Sequence, residues 1–207
     1  MQTLEEKMQE IEAEWFPEHV ASFEQLSEST AVLSFRKPGT SVYAVRYILD
    51  RNYLIITGDI GEAVFCLTEK AKLKSLAEEY SMSYLFGKLR ADRDAYDFDS
   101  EKAIQKLKSN FKDCEFDTKE EEKKFKELTE EMYTSIREEC NSESQWDTML
   151  NCDYYDKISE YDQDCFEWIY SIGKEYSWQA LGWVVGLKMA YKQLNEESVE
   201  MSKEVWV

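Results

Sequence analysis

The sequence predicts an α+β protein with an N-terminal helix, a three- to four-stranded antiparallel meander and a mostly helical C-terminal half. Apolar residues recur at helical spacing over the first 15 residues, alternate with polar ones between residues 30 and 66, and return to helical spacing after residue 68. The 207 residues include only two prolines and seven glycines, which argues against a many-turned all-β fold. Helix should therefore be the dominant element.

The first helix is predicted over residues 3–15. Thr3 and Glu6 have the spacing of a capping box, and Pro17 ends or redirects the helix. The apolar face of this helix comprises Leu4, Met8, Ile11 and Trp15. The segment that follows is ambiguous, and one option is a short second helix around Val20 to Leu26.

The meander is predicted from residue 30, where the apolar period changes to two. The strands centre on residues 31–35, 43–49, 53–57 and 62–66, with turns at Pro38-Gly39, residues 50–52 and residues 58–61. Later helices are predicted near residues 68–86, 100–111, 118–136, 144–154, 162–172 and 178–194, the last being apolar on nearly all sides.

The net charge of −18 is unevenly distributed. It is −7 for residues 1–28, +3 for 29–93, −12 for 94–165 and −2 for 166–207. We therefore predict a helix-plus-sheet module over residues 1–93 and an acidic helical module over 94–207, packed on the first as one compact unit. Charge asymmetry of this kind governs the choice of partners more than it governs the fold.

Composition excludes several classes of protein. The many aromatic residues (Trp 6, Tyr 13, Phe 10) exclude a disordered acidic chain. The five cysteines form no C-x-x-C pair, and the single histidine cannot complete a zinc site, so we expect no metal, no other cofactor and reduced thiols. The acidic N-terminus is unlike a signal peptide and no apolar run could span a bilayer, so we expect a cytoplasmic protein without membrane contact.

The strongest candidate site is the acidic segment, residues 138–167, which holds ten acids against one base, Lys157. Acids around large aromatic side chains suit a protein-binding surface, because carboxylates steer association and aromatics supply binding energy. Such an array can also imitate the phosphates of DNA. The predicted contact residues are Glu138, Glu139, Glu143, Trp146, Asp147, Asp153, Tyr154, Tyr155, Asp156, Glu160, Tyr161, Asp162 and Asp164. The structural alternative is a solvated helix face whose aromatics point inward.

A second candidate is the glycine turn, Gly58-Asp59-Ile60-Gly61-Glu62. Its two glycines permit unusual backbone angles, and Asp59 with Glu62 could present paired carboxylates to a ligand. His19 is a candidate general base near neutral pH. The structural alternatives are an ordinary hairpin with solvated acids and a structural histidine. No G-x-S-x-G, phosphate-loop or H-E-x-x-H motif accompanies these residues, so we do not expect an enzyme.

Ten basic residues fall within the meander and the helix after it, among several tyrosines. Sheets with cations and aromatics can bind single-stranded nucleic acid. However, the block is only +3 and the whole chain would repel phosphate, so direct nucleic-acid binding is not expected. Docking of this module onto acidic helices of the same protein is the simpler interpretation.

The segments FRKPGTSVY (residues 35–43), YIL (47–49) and GDIGEAVF (58–65) resemble a family of uncharacterised proteins from phages and prophages of Gram-positive bacteria. The similarity covers the first half of the chain, to about Arg93, and carries no catalytic assignment. It implies a genomic context in which small accessory proteins act on host machinery, including defence systems such as CRISPR effectors.

These observations lead to three functional hypotheses. The first is a phage-encoded, non-enzymatic inhibitor that binds the basic surface of a host defence or nucleic-acid-processing protein through the acidic segment. The second is a small enzyme or ligand-binding domain centred on the glycine turn. The third is a phage accessory or regulatory protein that self-associates through apolar surface such as Trp206.

Overall fold

The structure is a computed structural model that describes residues 2–92 and 95–204, with the backbone alone for Asp113 and residues 197–204. Trp206, named above as a self-association residue, lies outside the described residues. The α+β class is confirmed, with an N-terminal helix, an antiparallel sheet and a mostly helical second half.

The first part of the chain holds one main helix and most of the strands. Its elements are α1 (Leu4–Glu14), β1 (Val20–Gln25), β2 (Thr30–Arg36), β3 (Val45–Asp50), β4 (Tyr53–Gly58), β5 (Ala63–Cys66), a π-helical turn (Ser75–Glu79), α2 (Met82–Phe86) and β6 (Leu89–Asp92).

The second part is helical, with two short strands. Its elements are β7 (Tyr96–Phe98), α3 (Ser100–Asn110), a 3₁₀ turn (Phe111–Asp113), α4 (Lys119–Glu139), α5 (Glu143–Met149), a π-helical turn (Leu150–Tyr154), α6 (Tyr155–Ser159), 3₁₀ turns at Cys165–Glu167 and Ile169–Ser171, β8 (Lys174–Tyr176) and α7 (Trp178–Glu204).

These elements form two compact units. The sheet unit comprises Met1–Ala95 and Ser177–Val207, and the helical unit comprises Tyr96–Tyr176. Their net charges are −6 and −12. The predicted boundary near residue 93 lies close to the start of the helical unit. Helix α7, assigned above to the acidic module, instead packs on α1 and on strands β1 to β3 within the sheet unit.

The sheet contains six antiparallel strands in sequence order, rather than three or four. The ambiguous segment after Pro17 forms β1 and not a helix, pairing with β2 from Val20–Arg36 to Gln25–Ala31. A turn stabilises this hairpin, because the Ser27 hydroxyl accepts hydrogen bonds from the N–H groups of Ser29 and Thr30. β6 was not predicted, because its four residues, LRAD, contain only two apolar positions, too few to distinguish a strand from a loop.

The core of the sheet unit forms where α7 lies close to the sheet. A Cβ atom at Gly182 would lie 2.8 Å from the Trp15 ring, and one at Gly186 would lie 2.8 Å from the Tyr47 hydroxyl. The buried Tyr47 hydroxyl donates to the Trp183 carbonyl (2.7 Å), and the Trp183 indole N–H donates to the Ile60 carbonyl (2.8 Å). The two helix glycines therefore allow large side chains to fill the interface between helix and sheet.

The helical unit has its own apolar core. α4 begins with the predicted capping box, in which the Thr118 hydroxyl accepts from the Glu121 N–H (3.2 Å). The helix predicted over residues 162–172 is not formed, and two 3₁₀ turns take its place. The Asp162 carboxylate accepts a hydrogen bond from the Asp164 N–H (3.0 Å), an Asx turn that competes with a helical turn. Short strands β7 and β8 pair and join the two ends of this unit.

Candidate functional site

The acidic segment lies entirely within the helical unit, from the last turn of α4 to the first 3₁₀ turn after α6. Seven of its ten acids are exposed, and no ion pair involving these seven is found within the described residues. They are Glu138, Glu139, Asp153, Asp156, Glu160, Asp164 and Glu167. The one base, Lys157, lies 5.4 Å from the centre of the Tyr154 ring. The charge of the segment is therefore largely uncompensated at the surface.

The remaining three acids are partly buried and have local roles. Glu143 forms an ion pair with Lys174 (2.7 Å), and Asp162 closes the Asx turn described above. One carboxylate oxygen of Asp147 is buried and has no hydrogen-bond partner in the part of the chain that the structure describes. Burial and the neighbouring Glu143 raise the pKa of Asp147, whereas Lys174 partly opposes the shift. These three acids are less available to a partner than the seven exposed ones.

The aromatic residues of the predicted surface divide into two groups. Trp146 is fully buried and its indole N–H donates to the Ile169 carbonyl (3.1 Å), and Tyr154 is also buried. These two rings hold the core of the helical unit, which corrects the expectation that they contact a partner. Tyr155 and Tyr161 are half-buried. The exposed ring is Phe166, 53% exposed and inside the segment, although it is absent from the predicted contacts.

Acids from two separate elements influence the pKa of Tyr154. The Tyr154 hydroxyl lies 3.0 Å from the Ser135 hydroxyl of α4, so the π-helical turn is held against α4. Burial raises the pKa of Tyr154, the Ser135 hydrogen bond opposes the shift, and the nearby carboxylates Glu131, Asp153 and Glu139 add to it. Acids of α4 and of the π-helical turn therefore both act on Tyr154 and disfavour its phenolate.

Sequence analysis did not identify Glu131 as one of the acids that act on Tyr154, because Glu131 lies outside the acidic segment. The spacing of four residues from Glu131 to Ser135, and again to Glu139, places the three on one face of α4. That helical spacing is the signal by which Glu131 was identifiable from the sequence.

The glycine turn has a structural role in the sheet unit. Gly58 has φ +145°, and a Cβ there would lie 2.2 Å from the Ala44 carbonyl oxygen. The Asp59 carboxylate accepts a hydrogen bond from the Tyr43 N–H (2.8 Å). Glu62 is exposed, and neither acid lines either of the two cavities described below. Asp59 thus positions the loop between β2 and β3, and the paired-carboxylate site predicted for Asp59 and Glu62 gains no support.

His19 does not lie on an open surface. It is 4% exposed and packs against the rings of Phe16 and Phe35. Both of its ring nitrogens are buried, and burial lowers the pKa of His19, whereas hydrogen bonding to the backbone of Tyr43 and Val42 opposes the shift. It contributes to the wall of a cavity of about 430 Å³ in the sheet unit, which we call the His19 cavity. No serine or cysteine lines this cavity, so its wall lacks the nucleophile that a His-assisted hydrolase would need.

Another cavity, of about 610 Å³, lies in the helical unit between α3 and α4. Three lysines, Lys108, Lys112 and Lys126, line it beside a cluster of aromatic rings, together with Glu122 and Glu130. The Lys108 ammonium lies 4.9 Å from the centre of the Tyr133 ring. This cavity is the locally basic part of a strongly acidic unit.

Metal and thiol chemistry find little support in the described residues. Across residues 2–92 and 95–204 no group of three or more His, Cys, Asp or Glu side chains is placed to hold a metal ion. Cys140 and Cys165 are buried, and burial raises the pKa of both thiols, which disfavours the reactive thiolate. Within the same ranges no helix is long and apolar enough to cross a membrane.

Comparison with known proteins assigns neither a family nor a function to the chain. No protein-family model matches the chain, and neither a curated protein nor a solved structure shows significant similarity to it.

Proposed function

We propose that the protein is a phage-encoded, non-enzymatic inhibitor that binds a basic surface on a host defence or nucleic-acid-processing protein. The observation that carries the proposal is the set of seven exposed acids in the acidic segment, none of them in an ion pair among the described residues. A cationic protein groove that neutralises phosphate can neutralise these carboxylates in the same way.

The arrangement of these acids supports binding to an extended groove. They come from α4, the π-helical turn, α6 and the turns beyond α6, and the Ser135 and Tyr154 hydroxyls, 3.0 Å apart, hold the π-helical turn against α4. Exposed carboxylates raise association rates by electrostatic steering, and this effect falls with added salt. The protein should therefore bind its partner much more weakly at high salt.

Phe166 supplies an apolar contact within this surface. An exposed aromatic ring among charged residues is the usual composition of a binding hot spot with a polar rim. The half-buried rings of Tyr155 and Tyr161 add area on the same segment. The core residues Trp146 and Tyr154 support this surface from beneath.

The proposal is tested by charge reversal at four exposed acids, with the substitutions D153K, D156K, E160K and D164K combined. Asp162 is left unchanged because its carboxylate closes a turn. The probe is a guide-loaded CRISPR nuclease from a Gram-positive bacterium, with DNA cleavage and direct binding as readouts. We expect the wild-type protein to inhibit cleavage in competition with DNA, and the variant to lose at least tenfold in affinity, about 1.4 kcal/mol.

The matched control reverses four exposed acids of the sheet unit: E24K, E69K, E78K and E196K. This variant has the same net charge as the first one, so retained inhibition would show that position and not total charge matters. The proposal is contradicted if the acidic-segment variant inhibits as well as the wild type. It is also contradicted if the wild-type protein neither binds such nucleases nor protects phage in strains that carry them.

A further inference from the structure

The cavity between α3 and α4 in the helical unit has the size of a small-molecule site. Its volume of about 610 Å³ falls in the usual range for ligand pockets. Its wall combines three lysines with four aromatic rings, contributed by the end of α3, the segment that follows it and α4. We call it the Lys126 cavity, after the lysine that α4 contributes.

Aromatic rings give the Lys126 cavity a rigid apolar wall. Phe111 and Phe125 are buried, and their rings make an edge-to-face contact with centroids 5.1 Å apart. Phe116 is half-buried, and its ring centroid lies 5.3 Å from that of Phe125. These contacts fix the rings before a ligand binds, which lowers the ordering cost of binding. The wall therefore suits a flat apolar body.

Three exposed lysines place positive charge beside this apolar wall. Lys108 lies in the last turn of α3, and Lys112 follows it by four residues, so both lie on the same side of the chain. Lys126 lines the same cavity from α4. None of the three forms an ion pair within the part of the chain that the structure describes. Their charges are therefore available to a ligand.

Lys126 is unpaired although two carboxylates lie at a suitable spacing on α4. Glu122 and Glu130 are each four residues from Lys126 and line the same cavity, yet neither forms an ion pair with it. Lys123 and Glu127, at the same spacing on this helix, do pair (3.8 Å). The three lysines and two glutamates give the wall a net charge of +1, inside a unit of net charge −12. That balance favours a ligand with one negative charge over a polyanion, which the unit as a whole would repel.

We propose that the Lys126 cavity binds a small organic anion, a single carboxylate carried on a flat apolar body. The carboxylate binds the ammonium groups of Lys108, Lys112 and Lys126. The apolar body packs against the rings of Phe116 and Phe125. Because the apolar body displaces water from the cavity, each ion pair with the ligand is stronger there than in free solution.

The test is a calorimetric titration of the full chain with probes that share one body and differ in charge. 1-Naphthylacetate carries a negative charge, 1-naphthalenemethanol carries none and 1-naphthylmethylamine carries a positive one. Acetate supplies the charge without the body. We expect 1-naphthylacetate to bind, the alcohol to bind at least fivefold more weakly, and the amine and acetate not to bind at millimolar concentration.

Substitution of the cavity wall locates the site. K112Q and K126Q combined should weaken the binding of 1-naphthylacetate about tenfold, because two ion pairs with the ligand are lost. K119Q and K124Q combined are the matched control, since Lys119 and Lys124 are exposed lysines of α4 that do not line the cavity. Both double variants have the same net charge, so a difference between them reports position and not total charge.

Cys114 provides an independent readout, because it is a half-buried residue of the cavity wall. Bound 1-naphthylacetate should slow the alkylation of Cys114 by iodoacetamide, as measured by mass spectrometry. Cys152 is exposed and does not line the cavity, so its alkylation should be unchanged and serves as the internal control.

The proposal is overturned if 1-naphthylacetate does not bind at millimolar concentration, or if the amine binds as tightly as the anion. It is also overturned if the two double variants bind alike, or if bound 1-naphthylacetate protects Cys152 as much as Cys114. The inference is independent of the acidic segment, because K112Q and K126Q combined should leave nuclease inhibition unchanged.

Discussion

Asp59 of the sheet unit and the exposed acids of the acidic segment in the helical unit illustrate two different uses of a carboxylate. In the sheet unit the Asp59 carboxylate has a structural role. It accepts a hydrogen bond from the N–H of Tyr43, a residue with positive φ, and so stabilises the loop between β2 and β3. In the helical unit seven acids of one segment are exposed without ion pairs among the described residues. The difference teaches that a carboxylate stabilises a fold where an N–H group lies within reach. Without such a neighbour, it remains available for recognition.

The two units resemble each other in how they bury tryptophan. Trp183 of the sheet unit and Trp146 of the helical unit each donate an indole N–H to a buried backbone carbonyl. Both rings are essentially inaccessible to solvent. The contrast between the units is therefore one of surface chemistry and not of core construction.

The largest expected effect comes from this matched pair of tryptophans. W183F and W146F should each lower the free energy of unfolding by about 2 kcal/mol, because each leaves a small void and a carbonyl without its donor. Urea denaturation followed by circular dichroism measures the loss. F166A is the control and should change stability by less than about 0.5 kcal/mol, because its ring is exposed. If W146F left the free energy of unfolding unchanged, the assignment of Trp146 to the core would be contradicted.

A smaller effect is expected from a matched pair of acids. D59A should lower the free energy of unfolding by about 1 kcal/mol, because the Tyr43 N–H loses its acceptor. D153A should change it by less than about 0.5 kcal/mol, since Asp153 is exposed and has no ion pair in the described residues. The same denaturation experiment measures both. Equal losses in the two variants would remove the distinction between structural and recognition acids.

The smallest effect is a dependence of stability on pH. Because burial raises the pKa of Asp147 in the folded state, this group favours folding below its ordinary value near 3.8, and that contribution is lost as the pH rises through the folded pKa. As the pH rises from 4 to 7, the wild type should lose this contribution and D147N should not. The melting temperature of D147N minus that of the wild type should therefore increase over this range. If the melting temperatures of the two proteins change equally with pH, the pKa of Asp147 is not raised in the folded state.

Much of the fold was predictable because it rests on local signals. The capping boxes at Thr3 and Thr118 appear as predicted, since a hydroxyl three residues before a glutamate satisfies free N–H groups within one turn. The alternation over residues 31–66 correctly predicted four strands, because side chains in a strand alternate between faces. The segment around Val20 to Leu26, left ambiguous from the sequence, forms β1 because it pairs with β2. The helix predicted over residues 162–172 was wrong, because local Asx geometry outweighed weak helical spacing.

The candidate sites depended more on tertiary contacts. The exposed acids of the acidic segment were predictable, because charge in such excess stays in water. Three other features were not predictable from the sequence: the burial of Trp146, the structural role of Asp59 and the His19 cavity. Each depends on groups distant in the chain, such as Ile169 for Trp146.

The sequence by itself determined the α+β class, the starts of α1, α3, α4 and α7 and the concentration of acid in residues 138–167, because these follow from short-range periodicity and composition. Only the tertiary structure decided which aromatics face inward, which acids have partners, and that His19 is buried in the wall of a cavity. Those properties depend on burial and on hydrogen-bond partners, which arise when segments far apart in the chain pack together.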